Sequence, residues 1–198
     1  MAYKLEGLHC PNCGGSQFSP DLKKCLFCGG AVVLTSFNDF SSIDIKKYEN
    51  SYREQLAENP NNDALNMSLA MCYLKKKLYD KAIPFFEKAI DDTFGEPETL
   101  FFASVCLLKG NKAFLANREK QINPIIAYLN SAIQEDPKGI YHYFLAYIKY
   151  DYFERKYLNI TPNWKDTLQI AIQTGVSQAD IAQLFEMLQV EMPECLRV

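Results

Sequence analysis

Residues 61–91 read NNDALNMSLAMCYLKKKLYDKAIPFFEKAID, and this stretch decides the fold. Apolar side chains recur at helical spacing in two segments, which predicts one helix over residues 63–75 and a second over residues 79–91. Neither helix can bury its apolar stripe alone, so the pattern predicts a helical pair that packs against further pairs. The apolar positions, in chain order, are Leu65, Leu69, Ala70, Tyr73, Ala82, Ile83, Phe86, Ala89 and Ile90.

A second helical pair is predicted downstream, and a long insertion interrupts it. Residues 96–109 form its first helix, and residues 110–122 are the insertion. Asn123 and Pro124 then begin the second helix, with Asn as the N-cap and Pro at the first helical position. The apolar positions of this pair are Leu100, Ala103, Leu107, Ile125, Leu129 and Ala132.

A third pair is less regular. Leu145 and Ala146 mark its first helix, in which Lys149 stands where an apolar residue is expected. Thr161 and Pro162 are predicted to cap its second helix, which carries Trp164, Leu168 and Ala171.

These pairs resemble the tetratricopeptide-repeat family. The motif of the first pair is carried by Leu69, Ala70, Tyr73, Ala82, Phe86 and Ala89, with Pro60 just upstream. The resemblance covers residues 60–175 and implies a mainly α fold, a solenoid of about three helical hairpins with flanking helices. The insertion and Lys149 depart from the family's pattern, and the alternative is a generic helical bundle.

Helices are also predicted on either side of the repeats. Residues 42–58 carry an apolar stripe that would cover the first pair. Ser177 and Asp180 form a capping box, and the amphipathic helix that follows them would cover the third pair. Residues 191–198 are expected to be a loose tail.

Four cysteines near the N-terminus form two Cys-x-x-Cys pairs, each followed by two glycines: Cys10, Cys13, Cys25 and Cys28. Two intervening residues allow both sulfurs of a pair to face one ion. Four thiolates at about 2.3 Å make a closed, tetrahedral structural zinc site, in which no position is open for a catalytic water. Tetrahedral sulfur also suits iron, and two disulfides are the other alternative.

This module resembles the zinc-ribbon family over residues 8–34, which implies short β strands around the metal. Phe18 and Leu22 would lie on one arm, and residues 32–34 on the other. Zinc ribbons bind nucleic acid in some proteins and partner proteins in others, so the resemblance does not choose between them.

The chain is therefore expected to divide into four parts. They are a four-cysteine zinc ribbon at residues 1–36, a linker and capping helix at 37–60, repeats at 61–176, and a capping helix with a tail at 177–198.

The resemblance to tetratricopeptide repeats implies a concave groove lined by the first helix of each pair. An apolar groove suits a peptide or an amphipathic helix of a partner. The alternative is that these residues are core or are covered by the C-terminal helix. Residues 141–157 carry aromatic side chains all around the helix, so some are expected to be exposed. The predicted groove residues are Met67, Met71, Leu74, Leu100, Ser104, Leu107, Tyr143, Tyr147 and Tyr150.

The composition and motifs of the chain argue against several classes of function. The 198 residues carry a net charge of −3, which disfavours broad nucleic-acid binding. No apolar run approaches the roughly 20 residues that span a bilayer, and the first residues do not form a secretory signal. Paired cysteines in such a chain favour a reducing cytoplasm. His9 and His142 lie in no nucleophile motif, and no Gly-rich phosphate loop is found, so no enzyme is predicted.

Together these features predict a protein–protein adaptor that holds a peptide or helix in its groove and uses the ribbon as a second docking surface. The alternative is a nucleic-acid-associated regulator whose ribbon contacts nucleic acid. Lys23 and Lys24 beside the second cysteine pair support it, but so few cations predict weak binding.

Overall fold

The structure is a computed structural model that describes residues 45–91 and 96–198, together with two strands near the N-terminus. Strands β1 (Leu8–His9) and β2 (Ser16–Gln17) pair antiparallel, with Leu8 opposite Gln17 and His9 opposite Ser16. The described part of the chain is mainly α, as predicted.

The chain divides into two compact units, Met1–Phe94 and Gly95–Val198, each of which is described by itself. The helices of the first unit are α1 (Ile45–Glu58), α2 (Asp63–Lys75) and α3 (Tyr79–Asp91). Those of the second are α4 (Pro97–Leu107), α5 (Asn123–Glu135), α6 (Gly139–Ile148), α7 (Trp164–Gln173) and α8 (Gln178–Leu188).

In the first unit, α2 and α3 pack together and have the predicted bounds. Asn62 caps α2, since its side chain accepts a hydrogen bond of 3.0 Å from the backbone N–H of Leu65. The six residues of the repeat motif are all buried: Leu69, Ala70, Tyr73, Ala82, Phe86 and Ala89. Small alanines on both helices allow the close approach that this burial requires.

Helix α1 covers the outer face of α2, as predicted for the helix that precedes the repeats. The guanidinium of Arg53 donates hydrogen bonds of 2.9 and 2.6 Å to the hydroxyl of Tyr73, and Lys76 forms an ion pair with Glu49. The buried stripe of α1 consists of Ile45, Tyr48, Tyr52 and Leu56.

In the second unit, α4 packs against α5, and α6 packs against α7. Gly139, at the start of α6, allows the second of these approaches. A β-carbon at that position would lie 2.5 Å from the backbone nitrogen of Val176 and 2.9 Å from the carbonyl oxygen of Ala171. Helix α8 contacts both α4 and α6.

Two predicted helix caps were wrong, and a third was confirmed. A turn of π-helix, Arg118–Ile122, runs straight into α5, so Asn123 has helical dihedrals and Asn117 is the cap instead. Helix α7 is capped by Asn163, which accepts hydrogen bonds of 2.8 and 3.1 Å from two backbone N–H groups. Ser177 caps α8 as predicted.

Helix α6 is the centre of the second unit, and of the aromatic residues at 141–157, some of which were predicted to be exposed, Tyr157 is exposed and most of the others are buried. The helix packs against α5, α7 and α8, so three sides are covered rather than one. Tyr157, just beyond it, is 95% exposed. Tyr150 is half-buried, and the other six aromatic residues of the segment are buried: Tyr141, Tyr143, Phe144, Tyr147, Tyr152 and Phe153.

The C-terminal residues pack onto this unit and are not loose as expected. Leu196 is fully buried, and the hydroxyl of Tyr143 donates a hydrogen bond of 2.7 Å to its carbonyl oxygen. A buried leucine and a satisfied tyrosine hydroxyl together hold the tail in place. None of the helices described is long and apolar enough to cross a membrane.

Candidate interaction surfaces

The predicted metal ligands Cys10, Cys13, Cys25 and Cys28 lie outside the described residues. Strands β1 and β2 lie on either side of the first pair in sequence. The zinc ribbon stays a prediction that rests on the chemistry of four thiolates in two Cys-x-x-Cys pairs. In the two long described ranges, no group of three or more His, Cys, Asp or Glu side chains is placed to hold a metal.

Most of the predicted groove residues are buried within the chain. Of the nine, Met67, Leu107 and Tyr150 are half-buried. The other six are Met71, Leu74, Leu100, Ser104, Tyr143 and Tyr147. Within the second unit, Leu107 and Tyr150 are therefore the members of the predicted groove that keep some exposed area.

On the third pair, the protein's own C-terminal helix covers the predicted groove face. The ring of Phe185 on α8 lies edge-on to Tyr143 and Tyr147, with centroids 6.3 and 5.4 Å apart. Burial raises the pKa of Tyr143 to about 12 and raises that of Tyr147 well above its usual range. Both hydroxyls form structural hydrogen bonds: that of Tyr143 donates to the carbonyl oxygen of Leu196, and that of Tyr147 accepts from the backbone N–H of Ala113.

Burial shifts the pKa values of Cys72, Cys106 and His142. Burial raises the pKa of the Cys72 thiol to about 12 and that of Cys106 higher still. Because the thiolate is the nucleophile, both act as small apolar core residues. Burial, and to a lesser degree Lys149, lowers the pKa of the half-buried His142.

The third pair also contains a buried lysine, which corresponds to the departure seen in the sequence. Lys149 is only 5% exposed. Its ammonium donates hydrogen bonds of 2.9 Å to the carbonyl oxygen of Pro162 and to the hydroxyl of Thr167. Burial lowers the pKa of Lys149, and the carboxylate of Asp166 opposes that shift. Lys149 therefore joins the end of α6 to the start of α7.

The insertion between α4 and α5 is fixed to the segment that follows α6. The backbone N–H of Ala113 donates a hydrogen bond of 3.3 Å to the hydroxyl of Tyr147, and that of Phe114 donates one of 2.8 Å to Asp151. Asp151 is buried and pairs with Arg155 at 2.5 Å. At the far end of the insertion, Gln121 donates to the carbonyl oxygen of Leu107 at 2.5 Å.

Cationic side chains stack on aromatic rings where the insertion meets the end of α6. The Arg155 guanidinium lies 4.5 Å from the centroid of Phe114, and the Lys156 ammonium lies 5.2 Å from it. The Arg118 guanidinium lies 5.9 Å from the centroid of Phe153. Such contacts hold long cations in place while their charge stays available to solvent and ligands. We define the insertion surface as Lys112, Phe114, Leu115, Arg118, Lys156 and Tyr157.

A cavity of about 290 Å³ lies beside the insertion surface. The tail supplies one wall, with Glu191 and Glu194, and both carboxylates are exposed. Its other lining residues are Lys112, Tyr147, Tyr150, Asp151, Arg155, Met192 and Pro193. The cavity thus carries both signs of charge.

No protein-family model matches the chain, and a comparison with curated proteins finds no match. The function of the protein is therefore inferred from its helical pairs and from the surfaces described above.

The insertion surface was not predicted from the sequence, although signals for it were present. Two helices that pack against each other need only a short turn between them, and here residues 110–122 lie between α4 and α5. Phe114 and Leu115 lie between the cations Lys112 and Arg118 in the insertion. The other half of the surface comes from residues 154–158, and only the tertiary structure places the two segments together.

Proposed function

We propose that this protein is a non-enzymatic protein–protein interaction scaffold of the tetratricopeptide-repeat kind. It binds a peptide or helix of a partner on its helical pairs, and a structural zinc ribbon gives it a second docking surface. The observation that carries the proposal is the burial of all six motif residues where α2 packs against α3. Scaffolds built from helical pairs offer extended surfaces for peptides.

The second unit supports the same reading through its paired helices. Ala103 on α4 and Ala132 on α5 are buried, and so is Ala171 on α7. Small residues at matching places of successive pairs are what a repeated close approach requires. In this unit, Leu107 and Tyr150 are the half-buried members of the predicted groove, and we propose that a partner contacts them.

The burial of two cysteines on the helical pairs supports a scaffold rather than a catalyst. Cys72 and Cys106 are buried free thiols whose raised pKa keeps them protonated at neutral pH. Free thiols also agree with a reducing compartment, for which we propose the cytoplasm. In such a compartment, the paired cysteines of the ribbon would hold zinc rather than form disulfides.

Affinity capture from native lysate, with and without nuclease, tests the proposal. The intact chain is compared with a Cys10→Ser/Cys13→Ser variant, which removes two predicted zinc ligands and leaves the helices unchanged. We expect both forms to recover the protein that binds the helical pairs, and nuclease to leave that recovery unchanged. Recovery that requires the ribbon cysteines and disappears with nuclease would replace the scaffold by a nucleic-acid-associated regulator.

A further inference from the structure

We propose that the insertion surface docks an acidic segment of a partner protein that carries a large apolar side chain. The inference rests on the proposed scaffold function and deepens it, because it names the surface and the chemistry of the partner. Arg118 and Lys156 supply the charge, and Leu115 and Tyr157 supply the apolar contact.

The charge of this region differs in sign from that of the whole protein. Residues 109–122 and 154–158 contain six Lys or Arg and two Glu, in a chain whose net charge is −3, and of these cations Arg155 is paired with the buried Asp151. Within the described part of the chain, Arg118 forms no ion pair, and its guanidinium lies over the ring of Phe153. Its charge is therefore available to an acidic ligand, and opposite charges across an interface favour both encounter and correct register.

Two large apolar side chains are exposed to solvent in the same region. Leu115 is 71% exposed and follows Phe114 directly, while Tyr157 is 95% exposed and follows Lys156. Tyr157 also has a φ of 57°, a left-handed conformation that favours glycine. Its backbone ends the helical segment, since its N–H donates a hydrogen bond of 3.0 Å to the carbonyl oxygen of Glu154, while its exposed ring presents apolar area that a partner can cover.

The surface is held in its conformation before any partner arrives. Ala113, Ala116 and Ile122 are buried, so the insertion is anchored along its length. Asp151 accepts from Phe114 and pairs with Arg155, which stacks on the ring of the same phenylalanine. A preorganised surface loses less conformational entropy on binding than a mobile loop would.

The acidic residues of the tail indicate where the ligand would lie. Glu191 and Glu194 line the neighbouring cavity and would repel an acidic segment. This repulsion favours binding of the partner's acidic segment on the side of the insertion surface formed by Phe114 and Lys156. The exposed aliphatic chain of Leu115 favours a protein over a nucleic acid, because bases stack on aromatic rings and an aliphatic side chain needs an apolar partner.

Fluorescence anisotropy with a defined probe tests this inference on the whole 198-residue chain. The probe is a fluorescein-labelled peptide of eight glutamates around a central Trp-Leu pair. A second peptide replaces that pair by Ser-Gly, and a labelled oligouridylate of similar charge tests nucleic acid. We expect the Trp-Leu peptide to bind most tightly of the three, with an affinity that falls as salt screens the charges.

Two variants of the surface and two matched controls locate the binding. Arg118→Glu/Lys156→Glu and Leu115→Ser should each weaken binding of the Trp-Leu peptide by about tenfold or more. Lys165→Glu and Ile172→Ser make similar changes on α7, where Lys165 also stacks on an aromatic ring and Ile172 is 44% exposed. These controls should alter binding by about twofold at most, and circular dichroism checks that every variant is folded.

The results separate this inference from the proposed function. Tight binding of the oligouridylate, equal binding of the Ser-Gly peptide, or equal losses in the controls would overturn the acidic-apolar assignment. If the Trp-Leu peptide does not bind but native-lysate capture recovers a nuclease-resistant partner, the inference fails and the scaffold stands. If capture recovers no such partner, the scaffold itself fails.

Discussion

The backbone N–H of Phe114 donates a hydrogen bond of 2.8 Å to the buried carboxylate of Asp151, 37 residues further along the chain. This one contact fixes the insertion between α4 and α5 to the end of α6. The same carboxylate pairs with Arg155, whose guanidinium stacks on the ring of Phe114. Asp151 thus connects the core of the second unit to the surface that we propose for partner binding.

Replacing Asp151 should therefore loosen the insertion. Asp151→Ala leaves the N–H of Phe114 and the hydroxyl of Tyr147 without this acceptor, which we expect to lower the free energy of unfolding by about 2–4 kcal/mol. Urea denaturation measures the loss, and hydrogen exchange at the Phe114 amide should accelerate. Asp151→Asn keeps one acceptor and should lose less. Equal stability of all three proteins would show that the contact does not hold the insertion.

Lys149 should make the stability of the protein depend on pH in the alkaline range. Because burial lowers its folded-state pKa, the unfolded chain binds the proton more tightly between that value and about 10.4. The cost of burying the charge is full below this window and fades as the pH rises through it. Wild type should therefore gain stability relative to Lys149→Met between pH 7 and pH 10.

Lys165→Met is the matched control for this measurement, since Lys165 is exposed on α7. Its stability should run parallel to that of wild type when urea denaturation is repeated across the pH range. At pH 7, Lys149→Met should be within about 1 kcal/mol of wild type or more stable. A stability difference between Lys149→Met and wild type that stays constant with pH would contradict the lowered pKa.

The C-terminal tail should contribute to stability through Leu196. This side chain is fully buried, so Leu196→Ala should lower the free energy of unfolding by about 2–4 kcal/mol. Val198→Ala is the control, because Val198 is 43% exposed and its truncation should cost about 0.5 kcal/mol or less. Thermal denaturation of both variants measures the difference. Similar small losses would mean that the tail is loose, as the sequence suggested.

Metal removal should affect the N-terminal module and spare the helices. A small module has little core of its own, so binding of zinc by Cys10, Cys13, Cys25 and Cys28 is expected to be coupled to its folding. Metal analysis should find one zinc per chain, and a chelator should abolish protection from proteolysis over residues 8–34. The far-UV helical signal should persist. Its loss on chelation would show that the ribbon and the helices do not fold as separate modules.

Local signals predicted the helices better than they predicted their contacts. Helices α2 and α3 have the predicted bounds because an apolar periodicity ends at the polar turn that separates them. The caps Asn117 and Asn163 were missed because several polar residues precede each helix. The choice among them depends on where the first turn begins, and local spacing does not fix that point.

The candidate surface was harder to predict, since its residues meet only in the folded chain. The partner of Asp151 comes from the insertion, and the acceptors of Lys149 come from residues beyond α6. Aromatic residues all around α6 could have meant exposure or a central position. In the structure α6 is central, because it packs against α5, α7 and α8. The sequence of α6 alone does not show that these three helices cover it.

Site-specific photo-crosslinking in native lysate tests most directly whether the helical pairs bind a protein partner. A benzophenone amino acid replaces Leu107 or Tyr150, which are half-buried in the predicted groove, and Ile172 on α7 serves as an exposed control. A fourth position, Lys23, reports on the ribbon. The scaffold predicts a nuclease-resistant protein adduct at Leu107 or Tyr150 and none at Ile172. Adducts that form only at Lys23 and disappear with nuclease would contradict it.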